Sequence, residues 1–318
     1  MSSKLPALSE TSVPDVADPL YTVDVSDSTD DATGSSRKLS IQRLHGLLQL
    51  CQGRLTTLTT VPVTTADRTA QGTIYFTPYL GNGLALYDGT RWKFYRFSEI
   101  SLALSSLTSA KNYDVFVYDN AGTLTLELSA AWTNDTTRAD ALTTQDGVLV
   151  KSSATTRRYV GTIRTTDSAT TEDSAAKRFV WNYYNRVQRF LTRDYTGDWT
   201  YDTATWRQTN ADSANQLEFV VGDAGVLAAV QDAGQMLAYS TANYASHYRA
   251  IGVDSTSAPS GHQSRRNNMN NNLFADLRAE WVGHPGLGYH FLASLEYGDA
   301  GGGALNPRTV TMFGRIDG

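Results

Sequence analysis

The sequence predicts a mainly β protein, and three observations predict it. Thr, Ser, Ala, Tyr and Gly dominate while Lys, Glu, Met and Gln are thin, a bias toward strands and turns. Short runs alternating apolar and polar residues recur at regular spacing from Thr59 onward. Turn signals punctuate them at Asp88-Gly89, Asn120-Ala121-Gly122 and Asp146-Gly147. The expected order is an N-terminal extended arm and short helix (residues 1–58), a central small β domain (59–170), a linking helix (171–195) and a C-terminal β-sandwich (196–318).

The arm is read from residues 1–36. Pro6, Pro14 and Pro19 interrupt any helix, and "DVSDSTDDATGSS" is acidic and turn-rich. Such a segment is either a disordered tail or an arm ordered on a partner protein, with Leu5, Leu8, Val13, Val16 and Leu20 as anchoring side chains. Ser40 is placed to cap a helix. Ile41, Leu44, Leu48, Cys51, Leu55 and Leu58 then follow at spacings of 3, 4, 3, 4 and 3, the seam of a coiled coil. This predicts a short oligomerising helix carried by Ile41, Leu44, Leu48, Leu55 and Leu58. The alternative is an amphipathic helix or loop docked on its own domain, and Gly46 and Gly53 each weaken a helix by roughly 1 kcal/mol.

Strand patterns fill the centre. "TIYF", "LALY" and "RWKFYRF" flank Asp88-Gly89, which signals a two-residue hairpin; Trp92 and Phe94 share one face and Lys93 and Tyr95 the other. "YDVFVYD" and "TLTLELS" form a second hairpin, "ALTTQ" and "VLVK" a third, and "RRYVGTIRTT" completes the run. In "TTEDSAAKRFVWNYYNRVQRF", Thr171 is a cap and Ala175, Phe179, Tyr183 and Val187 recur at four-residue steps, predicting a helix. Beyond it, "QLEFVVGD", "VLAAVQD", "HYRAIGVD", "LRAEWVG", "GYHFLASLEYG" and "TVTMFGRIDG" read as strands. "SAPSGHQSRRNNMNNNLFAD" reads as a polar loop.

Chemistry is sparse. Phosphate-loop, zinc-protease and nucleophile-elbow motifs are absent. The five histidines lack metal-ligand spacing, with His290 expected at the surface, and neither a metal nor a cofactor is expected. The formal net charge of -5 disfavours nucleic acid. No apolar run is long enough for a membrane-inserted helix. The single cysteine, Cys51, excludes an internal disulfide. The remaining signal is aromatic: Trp199, Tyr201, Trp206, Tyr239, Tyr244 and Tyr248 crowd the start of the last region, where exposed rings would make a stacking surface. Trp199, Tyr201, His262, Arg265, Arg266 and Asn268 are the candidate receptor-binding residues.

"GTIYFTPYLGNGLALYDGTRWKFY" resembles a module of tailed-bacteriophage and prophage appendage proteins. The resemblance continues through "VFVYDNAGTLTLELSAAWTNDTTRADALTTQDGVLVKSSATTRRYVGTIRTT" into "DSAAKRFVWNYYNRV", about residues 59 to 190. Upstream, "TVDVSDSTDDATGSSRKLSIQRL" is similar to the short segments by which phage fibres attach to a virion. The resemblance implies a non-enzymatic structural protein of a phage particle, assembled in the host cytoplasm. It implies a homotrimer with an N-terminal virion anchor and an outward C-terminal β tip, for which a jelly-roll sandwich is expected. The leading expectation is a tail fibre or tip protein whose partners are other phage structural proteins (tail, portal-proximal or capsid) and a host surface glycan or protein. The alternative is a head fibre or capsid decoration protein. A polysaccharide depolymerase ranks last, because the long repetitive β-helix such enzymes usually need is not visible.

Overall fold

The computed structural model describes residues 19–24, 29, 35–40, 48–197, 199–240, 247–266, 273–298 and 303–318. The chain is mainly β. Pro19–Asp24 (β1) and Ser35–Ser40 (β2) pair antiparallel and form a two-stranded sheet of their own. The next strands are Gly53–Thr56 (β3), Arg68–Gln71 (β4), Thr73–Pro78 (β5), Gly83–Tyr87 (β6), Trp92–Arg96 (β7) and Ile100–Ala103 (β8). Asn112–Asn120 (β9), Thr123–Leu128 (β10), Leu142–Gln145 (β11), Val148–Lys151 (β12), Ala154–Arg164 (β13), Thr171–Asp173 (β14), Lys177–Arg178 (β15) and Val180–Asn182 (β16) follow. The last region holds Gln188–Thr196 (β17), Arg207–Gln208 (β18), Gln216–Val221 (β19), Ala228–Ser240 (β20), His247–Val253 (β21), Ser260–Arg266 (β22), Leu273–Gly283 (β23), Gly288–Gly298 (β24) and Gly303–Asp317 (β25).

Eight of these strands build a sandwich. β17, β25, β20 and β23 are hydrogen-bonded in that order, and so are β22, β21, β24 and β19. Numbered first to eighth along the chain, omitting the two-residue β18, they run 1-8-3-6 in one sheet and 5-4-7-2 in the other. That is the double Greek key of a jelly roll. The two inner faces enclose Leu191, Val230, Ala279, Met312 and Ile316 from one sheet and Leu217, Phe219, Ile251 and Leu292 from the other.

A sheet of β10-β9-β13-β12-β11, with β16 also on β13, lies between this sandwich and the small sheets β3-β5-β8 and β6-β7. Alternation along β9 and β13 explains the placement. Val115, Val117, Val160 and Ile163 pack with Leu55, Ile74, Phe76 and Leu84, while Phe116 and Tyr159 join Trp181 and the sandwich core. Both faces of this middle sheet are therefore buried near its centre.

The turn residues act through their dihedrals. Ala121-Gly122 and Asp146-Gly147 have φ of 50°/96° and 50°/83°, the doubly positive pattern of a tight hairpin. The Asp88-Gly89 turn differs from expectation. Tyr87 pairs with Trp92, so four residues span the gap, and Asp88 Oδ1 accepts the backbone N–H of Thr90 and Arg91 at 2.9 Å each.

Among the described residues neither expected helix is present. Of residues 41–58, 41–47 lie outside the described residues; Leu48-Gln49 is a turn and β3 follows it. All four residues of β3 are buried, and of the six seam positions only Leu55 falls in it. Leu55 packs with Ile74 and Phe76, Leu58 is half-buried and Leu48 is exposed. Gly53 is required there, because a β-carbon would lie 2.3 Å from the Phe76 ring. The linking helix at 171–195 is replaced by β14, β15, β16 and most of β17. "RFVWN" is rich in β-branched and aromatic residues, and cross-strand pairing outweighs its four-residue periodicity. Val180, Trp181 and Asn182 pair with Ile163, Thr162 and Gly161 of β13 and are all buried. β15 runs parallel to β19 and ties this segment to the sandwich.

Candidate functional site

Two of the six aromatic residues singled out in the sequence, Trp206 and Tyr248, meet on the outer side of the β22-β21-β24-β19 sheet, while Tyr244 lies outside the described residues. On β24 the inward positions are His290, Leu292, Ser294 and Glu296, so Tyr297 points outward. β21 pairs with β24 so that Tyr248 lies opposite Tyr297. Arg265 of β22 lies opposite Tyr248 in register. Trp206, just ahead of β18, completes a row of half-buried rings. Trp206 and Tyr297 centroids are 5.3 Å apart, Tyr248 and Tyr297 5.1 Å, and Trp206 and Tyr248 6.1 Å. Below them Ala250, Ala293 and Leu295 are fully buried and give the row a rigid base.

The row is held by a buried carboxylate. Glu296 accepts the Arg207 Nε–H and the Trp199 indole N–H at 2.8 Å each and the Asn210 backbone N–H at 3.0 Å. The Arg207 guanidinium also stacks 3.7 Å from the Tyr201 ring centroid, and the Tyr201 hydroxyl donates to the Thr205 carbonyl at 2.7 Å. Deeper in the sandwich, Asp232 and Arg249 form a fully buried bidentate pair at 2.8–3.1 Å, bridged by Ser294 Oγ. A carboxylate with three charge-assisted or amide donors is satisfied, and this arrangement positions side chains rather than moving protons.

The receptor-binding candidates therefore separate. Trp199 and Tyr201 have their polar atoms bonded to Glu296 and Thr205 and are not part of the row. His262 is exposed on β22, opposite Glu280 of β23. β22 was expected to be a loop; its strand pairing with β21 places Arg265 beside the row and Arg266 opposite His247. Asn268 lies outside the described residues, as do Leu5, Leu8, Val13, Val16, Ile41 and Leu44; Leu20 falls in β1. Tyr297, Arg207 and Glu296 were not selected from the sequence. The alternation of "GYHFLASLEYG" exposed Tyr297 to notice, but nothing local marks Glu296 as the acceptor of donors 86 to 97 residues away.

His290 is a correction. It is buried at the sandwich edge, with Nδ1 2.8 Å from Asp254 Oδ2, while Asp254 Oδ1 accepts the Phe291 N–H at 3.0 Å. The face expected to be more exposed lines the sandwich interior, because both sides of β24 are covered. The His290–Asp254 contact fastens the turn after β21 to β24. Among the described residues its Nε2 has no hydrogen-bond partner, so the pair has no hydroxyl nucleophile aligned with it. Among the described residues no group of three or more His, Cys, Asp or Glu side chains could hold a metal ion, and no helix is long and apolar enough to cross a membrane.

No family model and no curated protein matches the chain. Among solved structures it is similar to the functional form of the mosquito-larvicidal Cry4Aa toxin from Bacillus thuringiensis, with 11% identity over 79% of this chain and 50% of that one, at a TM-score of 0.23. A tryptic core variant of the Bacillus thuringiensis Cry1Da toxin gives 8% identity over 78% and 48%, at 0.19. The infectious bursal disease virus Gx strain structure gives 11% over 84% and 77%, at 0.22. The chain spans about half the length of the two toxin chains. Likenesses at these TM-scores carry no argument about fold or function.

Proposed function

We infer that the protein is a structural component of a virus particle, a tailed-phage appendage that binds the host surface through its jelly roll. The observation that carries this reading is the outward row Trp206–Tyr297–Tyr248, set on a rigid sheet beside the strand of Arg265. Aromatic rings held in place by packing suit recognition, since little side-chain freedom is lost on contact. Jelly rolls recur in viral capsid and lectin domains, which is compatible with the reading without deciding it. The sequence resemblance to phage appendage modules supplies the particle. The N-terminal hairpin, a sheet separate from the rest, suits an attachment element, and a homotrimer follows from the resemblance. The work of the jelly roll in this reading is binding rather than catalysis.

Gold-labelled antibody against residues 196–318, applied to intact particles and viewed by electron microscopy, is the test. Label at the tail is the expected result. Label over the head would make the protein a head fibre or decoration component, and particles without label would end the virion reading.

A further inference from the structure

The opposite sheet of the jelly roll, β17-β25-β20-β23, has an outer face on which no other described sheet packs. Its outward residues form cross-strand rows. Phe190, Arg315, Ala229 and Val282 make one, and Thr192, Phe313, Gln231 and Glu280 the next. Along β20 the outward positions are Ala229, Gln231, Ala233 and Gln235, so two of the four central side chains end at a β-carbon. Larger neighbours on β17, β25 and β23 rise beside them. The result is a trough with three concavities in line. The middle one, about 540 Å³, is lined by Phe190, Ala229, Gln231, Glu280, Phe313 and Arg315 among others. A lobe of about 210 Å³ adjoins it toward Leu227, and one of about 410 Å³ continues over Ala233, Arg278 and Thr311. From residue 227 to 235 the trough is about 27 Å long at a strand rise of ~3.4 Å per residue.

We propose that this trough binds an extended saccharide chain. The inference deepens the surface-binding role proposed above and rests on it for the source of the saccharide. Three features select the ligand. The lining combines exposed rings with polar side chains: Phe190 is 57% exposed, and Gln188, Gln235, Glu280 and Arg315 make no side-chain hydrogen bond or ion pair with another described residue. Sugars present apolar C–H faces for such rings and hydroxyls that both donate and accept, which amides, carboxylates and guanidinium groups match.

A peptide strand is a poor fit. β25 and β20, which form the floor of the trough, are each paired on both sides, so the floor offers no open edge for a backbone ladder. A second copy of the same face is a poor fit as well, because two concave surfaces cannot fill one another. Charge along the trough alternates, with Arg278 and Arg315 against Asp276 and Glu280, and no cationic cluster selects a phosphate polymer.

The full-length protein should be applied to a printed array of neutral and acidic bacterial surface oligosaccharides, with the best binder followed by saturation-transfer NMR. Binding is expected, with magnetisation transferred to several consecutive sugar units. Ala229→Trp, which fills the floor, and Phe190→Ala, which removes an exposed ring, should each weaken it at least tenfold while leaving circular dichroism and thermal midpoint unchanged. Three outcomes overturn the proposal: no oligosaccharide bound by the unaltered protein; binding kept by Ala229→Trp but lost in Trp206→Ala; or self-association in sedimentation velocity that Ala229→Trp abolishes, which would make the trough a contact between copies. Particle labelling tests the virion role separately, so each reading can fail alone.

Discussion

Arg138 shows how single side chains join the layers. Its Nε donates to the buried Asp114 at 2.8 Å, its Nη2 to the Gly222 carbonyl at 2.8 Å, and its guanidinium lies 4.8 Å from the Trp132 ring. Asp114 also accepts the Thr162 hydroxyl at 2.8 Å, so the middle sheet and the turn after β19 share one network. Removing one member of a buried ion pair leaves its partner uncompensated, and Arg138→Ala should cost about 3–5 kcal/mol in denaturant unfolding. Recovery of most of that loss in Arg138→Leu combined with Asp114→Asn would show that the stranded charge, not lost packing, is responsible. At the surface, the Arg91 and Thr90 amides and the Lys93 ammonium hold the Asp88 carboxyl down, from the usual 3.8 to about 2. A depressed acid stabilises the fold above its unfolded value and loses that contribution as pH falls through the folded one. The β6–β7 turn should therefore loosen between pH 4 and 2, seen as amide shift changes at Gly89 and Arg91, and Asp88→Asn should remove the transition.

Among the elements, the strands and tight turns were legible where the cause is local. Ala121-Gly122 and Asp146-Gly147 tolerate positive φ, and the alternation of "VFVYD" sorts Val115 and Val117 from Phe116. Elements set by distant partners were not legible. β16 has helical periodicity on paper, yet Gly161 lets its backbone approach so closely that a β-carbon there would sit 2.2 Å from the Trp181 carbonyl oxygen. Gly161→Ala should accordingly lower stability by about 1–3 kcal/mol through overpacking, measured by thermal and denaturant melts; an unchanged midpoint would contradict the β13–β16 contact. β22 looked like a loop because its Ser, Gly, His and Gln residues carry no apolar pattern, although pairing with β21 makes it a strand. The aromatic row was half legible. Of the crowded Trp199, Tyr201, Trp206, Tyr239, Tyr244 and Tyr248, two belong to the row, Trp206 and Tyr248, while the Glu296 contacts beside it join residues far apart in sequence.

For the whole molecule, one core runs through the jelly roll into the middle sheet: Phe116, Tyr159 and Trp181 pack with Phe219, Leu292 and Ile316. Thermal unfolding should therefore be a single transition, with coincident near- and far-ultraviolet circular dichroism. A fragment of residues 196–318 omits nearly all of β17, which pairs with β25 along its whole length, and should not give a cooperative melt. A fragment with a melt matching the full chain would mean that the shared core contributes little. The same strand order governs how the chain comes together during synthesis. β25 is the last of these strands to emerge, yet it is inserted between β17 and β20, and its pairing with β17 runs from Gln188↔Asp317 to Thr196↔Thr309.

 Until β25 arrives, β17 and β20 each keep an edge of unpaired amides and carbonyls, the kind of edge that recruits strands from other chains. Nascent chains and chains cut short before β25 are thus the species most exposed to aggregation.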